Sequence, residues 1–275
     1  MNVCFDIILM RGSQLNIIKR QLVVKICLLL LLMPFVSSSQ TTIIVVRTSY
    51  CIYVGADTRK GTTVYDQKTN QRISTQNDTA CKIFRNRNIY YSVAGANPEI
   101  VYGQIRKSID SKRTFEASLK DIIKNVKLQR QAYLSDLQRS NKAIFESRYK
   151  ELQSLEVALF GYENSIPKTV RVVFFIITTK DRPVLIKDTI PNKDFGKPSF
   201  KNEFIPFPMG HAEEIKTKMF TRDFWLGKHP LKAIEELILI EAKAHPESVA
   251  KPIDLLTIDK NGAHWFGEPA KCKLN

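Results

Sequence analysis

Apolar positions along this chain recur with two different periods, in alternating blocks. TTIIVVR, residues 41–47, is a continuous β-branched run, and CIYVGA, residues 51–56, follows after a Thr-Ser-Tyr break. Short β-branched and aromatic runs bounded by turn formers predict strands. Residues 71–94 predict a second strand pair, with its turn at Arg85-Asn86-Arg87-Asn88, because Asn tolerates tight-turn backbone angles. The period then lengthens to that of a helix. Pro98 suits a first helical turn, and Ile100, Val101, Ile105 and Ile109 mark one apolar face. A longer helix is predicted from Phe115 to Tyr149, where Leu119, Ile122, Ile123, Val126, Leu134 and Leu137 recur at helical spacing.

Strand patterns return at residues 155–163, 169–179 and 182–190. The Pro-, Lys- and Phe-rich stretch 191–208 reads as loop. Residues 210–220 predict a helix, and residues 230–246 predict a stronger amphipathic one with proline at each end. Residues 252–266, PIDLLTIDKNGAHWF, predict a closing hairpin turned at Asp259-Lys260-Asn261-Gly262, since Asn-Gly suits a tight hairpin turn. Strands grouped in blocks and separated by paired helices predict antiparallel sheets covered by helices. That is an α+β plan, not an alternating parallel one.

Residues 1–40 stand apart from this pattern. Arg11, Lys19, Arg20 and Lys25 form a basic lead, residues 26–36 an apolar run, and Ser37-Ser38-Ser39 a small-residue end. This is the three-part plan of a secretory signal peptide. The apolar run falls short of the roughly 20 residues that a membrane span needs. The expectation is a leader at 1–40 and one domain at 41–275, secreted or periplasmic after cleavage, touching a membrane only during export. A cut between Ser39 and Gln40, which the small serines favour, leaves Gln40 first; a cut after Gln40 frees Thr41.

Charge and cysteines narrow the picture further. The formal net charge is +15. The cations are spread along the chain with no basic run interleaved with aromatics, so a solvated basic surface is expected and no nucleic-acid partner. Cys4 and Cys27 lie in the leader, and Cys51, Cys81 and Cys272 allow at most one disulfide. Cys51 sits in an apolar run and is expected in the core. His211, His229, His245 and His264 show no metal-ligand spacing, and no nucleotide-binding glycine loop appears, so neither metal nor cofactor is expected. Asn77-Asp78-Thr79 is a formal glycosylation sequon.

One constellation carries chemistry. Residues 41–61, TTIIVVRTSYCIYVGADTRKG, place Asp57 sixteen residues after Thr41; ACKIF contains Lys82, and SVAGA contains Gly95. This pattern resembles the start of a mature proteasome β subunit, or of the related bacterial HslV protease. The resemblance covers residues 41–266. It implies the Ntn-hydrolase fold, an αββα sandwich of two antiparallel sheets, and assembly into a homo-oligomer such as a ring. It also implies roles. Thr41 is the nucleophile, Lys82 lowers the pKa of its hydroxyl and amine, Asp57 orients Lys82, the Gly95 N–H stabilises the oxyanion, and Arg59 supports the site. The expected activity is that of a threonine-type peptidase, acting on peptide or other amide substrates.

The residues justify this chemistry by themselves. A threonine hydroxyl is a weak nucleophile without a base. A freed Thr41 would carry an α-amine, ordinarily of pKa ~7.7–8.0, on the same residue. The chain departs from the family pattern in two places. Met209 stands where the family has the serine of a Gly-Ser-Gly, and Pro246 and Val249 fall near its later Asp and Ser, with Glu247 and Ser248 beside them. The alternative expectation is a catalytically silent proteasome-like subunit with an assembly or binding role.

Overall fold

The computed structural model describes residues 41–65, 72–77, 80–95, 98–109, 114–149, 153–177, 184–190, 204–267 and 272. The expected leader at residues 1–40, and Asp78 and Thr79 of the sequon, lie outside the described residues. In chain order the strands are β1 (Thr42–Arg47), β2 (Ile52–Asp57), β3 (Lys60–Tyr65), β4 (Arg72–Asn77), β5 (Phe84–Asn86) and β6 (Ile89–Gly95). Helices α1 (Glu99–Ser108), α2 (Phe115–Ser140) and α3 (Lys142–Tyr149) follow. Then come β7 (Gln153–Glu163), β8 (Ile166–Ile177), β9 (Leu185–Thr189) and β10 (Ile205–Gly210). Helices α4 (Lys216–Met219), α5 (Arg222–Trp225) and α6 (Pro230–Ala244) precede the closing strands β11 (Ile253–Asp259) and β12 (Gly262–Trp265).

The fold is α+β. Two antiparallel five-stranded sheets run β10-β1-β2-β11-β12 and β5-β6-β7-β8-β9, and β3 and β4 form a separate ribbon. Side chains from both large sheets share one buried cluster. Ile43, Val45 and Val54 come from the first, and Tyr90, Ala94, Ala158 and Phe160 from the second. The other face of the first sheet, through Ile44, Val46 and Leu255, packs on Ile234, Leu237 and Ile238 of α6. The other face of the second, through Val157, Val172 and Phe174, packs on Val101, Ile105, Leu119 and Ile122 of α1 and α2. This order of packed faces is compatible with the expected sandwich.

The faces explain the strand sequences. β1 is buried along its whole length because both its faces are covered, and a strand covered on both sides reads as an unbroken apolar run. Close helix contact also dictates Gly55. A Cβ there would lie 2.2 Å from Ile234 Cγ2, so any larger residue would push α6 away from the sheet.

Four local expectations change. The loop read at 191–208 ends instead in β10, which pairs with β1 as Pro206↔Val46 and Pro208↔Ile44. Proline lacks an N–H, and β10 is an edge strand, where a missing donor costs no ladder bond. The single helix read at 115–149 breaks at Asn141, whose φ of −149° and ψ of 74° end α2 before α3 begins. The helix read at 210–220 shrinks to α4, because Gly210 has a left-handed φ of 74° and residues 211–215 form turns. Cys51 is half-buried, not core. β3 and its pairing with β4 had no counterpart in the sequence reading, although β4 falls within the strand pair read at 71–94.

Cys81 and Cys272 form a disulfide across a sequence separation of 191 residues. Cys272 thus ties the far end of the chain to the residue before Lys82. Closing so long a loop restricts the unfolded chain strongly, so Cys272→Ser is expected to lower stability by about 2–5 kcal/mol. Urea denaturation of both proteins, without reductant, checks this. Equal midpoints would refute it.

Candidate active site

β1 and β2 pair along their length, so the first residue of β1 lies beside the last of β2. Thr42 N–H donates to Asp57 Oδ1 at 2.7 Å. Lys82 reaches the same carboxylate from the other sheet's connection, with Nζ 2.9 Å from both Oδ1 and Oδ2. Arg59 N–H donates to Asp57 Oδ2 at 3.1 Å, and its guanidinium bonds the Pro246 carbonyl. Asp57 is fully buried and Lys82 is 6% exposed, so the pair is withdrawn from solvent.

Burial dominates the electrostatics of this pair. It pulls the Lys82 ammonium below the ordinary lysine range; Asp57 and Asp254 oppose the shift, and the Arg59 charge adds to it. Burial also pushes the Asp57 carboxyl up, against Lys82 and the N–H donors of Thr42 and Arg59.

Thr41 is buried, and its carbonyl accepts the His211 N–H at 2.8 Å. The Thr42 hydroxyl returns a bond to the His211 carbonyl at 2.9 Å. Gly95 ends β6 with a φ of 121°, a conformation that favours glycine. Among the described residues, no backbone hydrogen bond joins Gly95 to Thr41. However, the neighbours Ile43, Ala56, Ile83 and Ala94 all belong to the one cluster between the sheets. The elements carrying Thr41, Asp57, Lys82 and Gly95 therefore meet in the same core. Met209, read at the family's serine position, instead sits in that core at 1% exposure, and Val249 is buried against α6.

Sequence reasoning missed six residues around this end of the sheets. Asp254 is buried on β11, and its charge acts on Lys82. Glu156, on β7, takes Arg171 Nε at 2.7 Å and the Gly210 N–H at 3.4 Å, which ties one sheet to the other. His211 and His245 stack with ring centroids 5.1 Å apart. Burial pulls His211 below its ordinary value, with Glu213 opposing and His245 adding to the shift, so its ring is neutral at neutral pH. Fully buried Glu241 is pushed up by burial. Among the described residues, His211, Glu213 and His245 are placed closely enough to hold a metal ion. None of these six could be found by spacing, since each comes from a segment distant in sequence from Thr41. No protein-family profile and no curated protein matches this chain.

Proposed function

We propose that residues 41–275 form an exported proteasome-like Ntn-hydrolase domain, with Thr41 as nucleophile once the chain is cut after Gln40. The observation that carries this reading is the buried relay Lys82–Asp57–Thr42, which ends one residue from Thr41. The Thr41 hydroxyl attacks an amide carbonyl and gives its proton to its own α-amine. The N–H of Gly95 stabilises the oxyanion, a contribution of ~2.7–4 kcal/mol for one such donor. Collapse expels the leaving amine with that proton and leaves an ester on Thr41. Water, deprotonated by the same amine, then hydrolyses the ester. Lys82 lowers the pKa of both groups on Thr41 through its charge, and Asp57 holds Lys82 in place.

The substrate class is peptide or other amide, with no metal or cofactor in the step. The domain assembles with copies of itself. A second reading, a silent subunit with an assembly or binding role, is favoured by the serines that direct cleavage to leave Gln40 first. Gln40 would tie up the Thr41 amine as an amide.

The test begins with the exported protein, sequenced from its N-terminus and weighed intact. It is then assayed on a mixed peptide library across a pH series. Thr41 first, with cleavage that rises as the amine deprotonates at or below ~7.7–8.0, is the expected result. Gln40 or pyroglutamate first, or correct processing with no cleavage, would overturn the enzyme reading in favour of the silent subunit.

A further inference from the structure

The hydrolysis proposed above leaves a cluster of imidazole and carboxylate groups unused. His211 follows β10 directly, His245 caps the C-terminal end of α6, and Glu213 lies in the turn between β10 and α4. One ligand atom from each of the three lies within 4.8 Å of those of the other two. His211 is 4% exposed and His245 30%, whereas the Glu213 side chain is 64% exposed. The cluster is thus closed on one side and open to solvent on the other.

One atom of the cluster, His245 Nε2, and one beside it, Glu241 Oε1, are buried without a hydrogen-bond partner. Glu241 is fully buried on α6, one turn before His245, and its other oxygen takes the Glu214 N–H at 3.3 Å. Each unpaired buried polar atom costs about 1–3 kcal/mol. A bound ligand at this place would relieve the cost at His245 Nε2. The His245 ring points to what that is. Its Nδ1 lies 3.8 Å from Glu247 Oε1, while Nε2 faces the interior unpaired. A carboxylate near one ring nitrogen, with the other free, is the orientation of a metal-ligating histidine. Glu213, Glu214 and Glu247 also concentrate negative charge here, on a chain whose formal charge is +15.

We propose that His211, His245 and Glu213 bind one divalent first-row transition-metal ion, zinc being the best fit. Two imidazoles and one carboxylate are a zinc donor set that leaves a fourth position for water, and hard cations such as Mg²⁺ prefer all-oxygen sites. Zinc bonds of about 2.0–2.2 Å put tetrahedral ligand atoms about 3.3–3.5 Å apart. His211 Nδ1 and Glu213 Oε2 already lie 3.6 Å apart, and the exposed Glu213 side chain can supply what further adjustment the ion needs. Because the His211 N–H holds the Thr41 carbonyl, the ion would pin the end of β10 against the start of β1.

The test is a calorimetric titration of ZnCl₂ into the full, chelator-stripped chain. A parallel CoCl₂ titration reads coordination from visible absorption. One ion per chain, bound in the micromolar range or tighter, is expected, with the visible bands of four-coordinate cobalt. Glu213→Gln, a change at an exposed side chain, should weaken zinc by at least about tenfold without moving the Tm of the stripped protein. His245→Ala should weaken it more, and exposed His264→Ala not at all. No saturable zinc binding, equal binding by Glu213→Gln and His245→Ala, or equal binding of MgCl₂, would each overturn the site. The titration uses unprocessed chain, so its failure is separable from failure of the hydrolase reading.

Discussion

Thr41→Ala is expected to lower kcat/KM for amide hydrolysis by at least about 10⁴-fold, the loss that follows removal of a nucleophile. Stability should change by no more than about 1 kcal/mol. The structure separates these effects. The bond that holds Thr41 in place is made by its carbonyl, not its side chain, and alanine keeps that bond. Thr42→Ala should behave in the opposite way. The Thr42 hydroxyl donates to the His211 carbonyl inside the protein, so its removal should cost about 1–2 kcal/mol, with the nucleophile still present. The measurement is peptide hydrolysis beside thermal melting, on protein confirmed to begin at residue 41. Equal hydrolysis by wild type and Thr41→Ala would exclude Thr41 as nucleophile.

The second large effect is on stability. Asp57→Ala should destabilise the fold by about 3–5 kcal/mol, because it leaves a buried ammonium without its partner. It also strips the acceptor from the Thr42 and Arg59 N–H groups. Lys82→Met should cost less. Asp57 keeps those two donors, and a buried carboxyl can take up a proton. The pH dependence of that variant has a definite sign. Burial already raises the Asp57 pKa in the folded state, and loss of Lys82 raises it further. A raised folded pKa contributes stability that is full below the unfolded pKa and is lost as pH rises through the folded value. Lys82→Met should therefore recover toward wild type as pH falls, and fall furthest behind in neutral and alkaline solution. Urea midpoints for the three proteins at about pH 5 and about pH 8 check both claims. A Lys82→Met deficit that grows in acid would refute the second.

Local pattern was a good guide wherever one face or both faces of an element are covered along its length. β1 and β2 announce themselves through burial on both sides, α6 through its amphipathic stripe and terminal prolines, and the β11–β12 hairpin through Asn261-Gly262. The pattern failed where the deciding partner is remote. β10 looks like loop because of Pro206 and Pro208, and only its edge position beside β1 makes those prolines harmless. α2 looks continuous with α3, since Asn141 does not by itself break a helix.

The candidate site divides along the same line. The spacing of Thr41 and Asp57 is readable because both lie on one hairpin, where strand length and turn size set which residues are neighbours. The Asp57–Lys82 ion pair joins the first sheet to the strand connection entering the second, and Asp254 and Glu156 arrive from strands more than sixty residues further on. His211 and His245 look unrelated in the sequence, because α4, α5 and α6 intervene. Their stacking follows from α6 crossing the outer face of the first sheet, so that its C-terminal end reaches the start of β1. Hydrophobic periodicity records which face of an element is buried. It holds no record of which distant element does the burying, and that choice places every side chain of this site except those on the first hairpin.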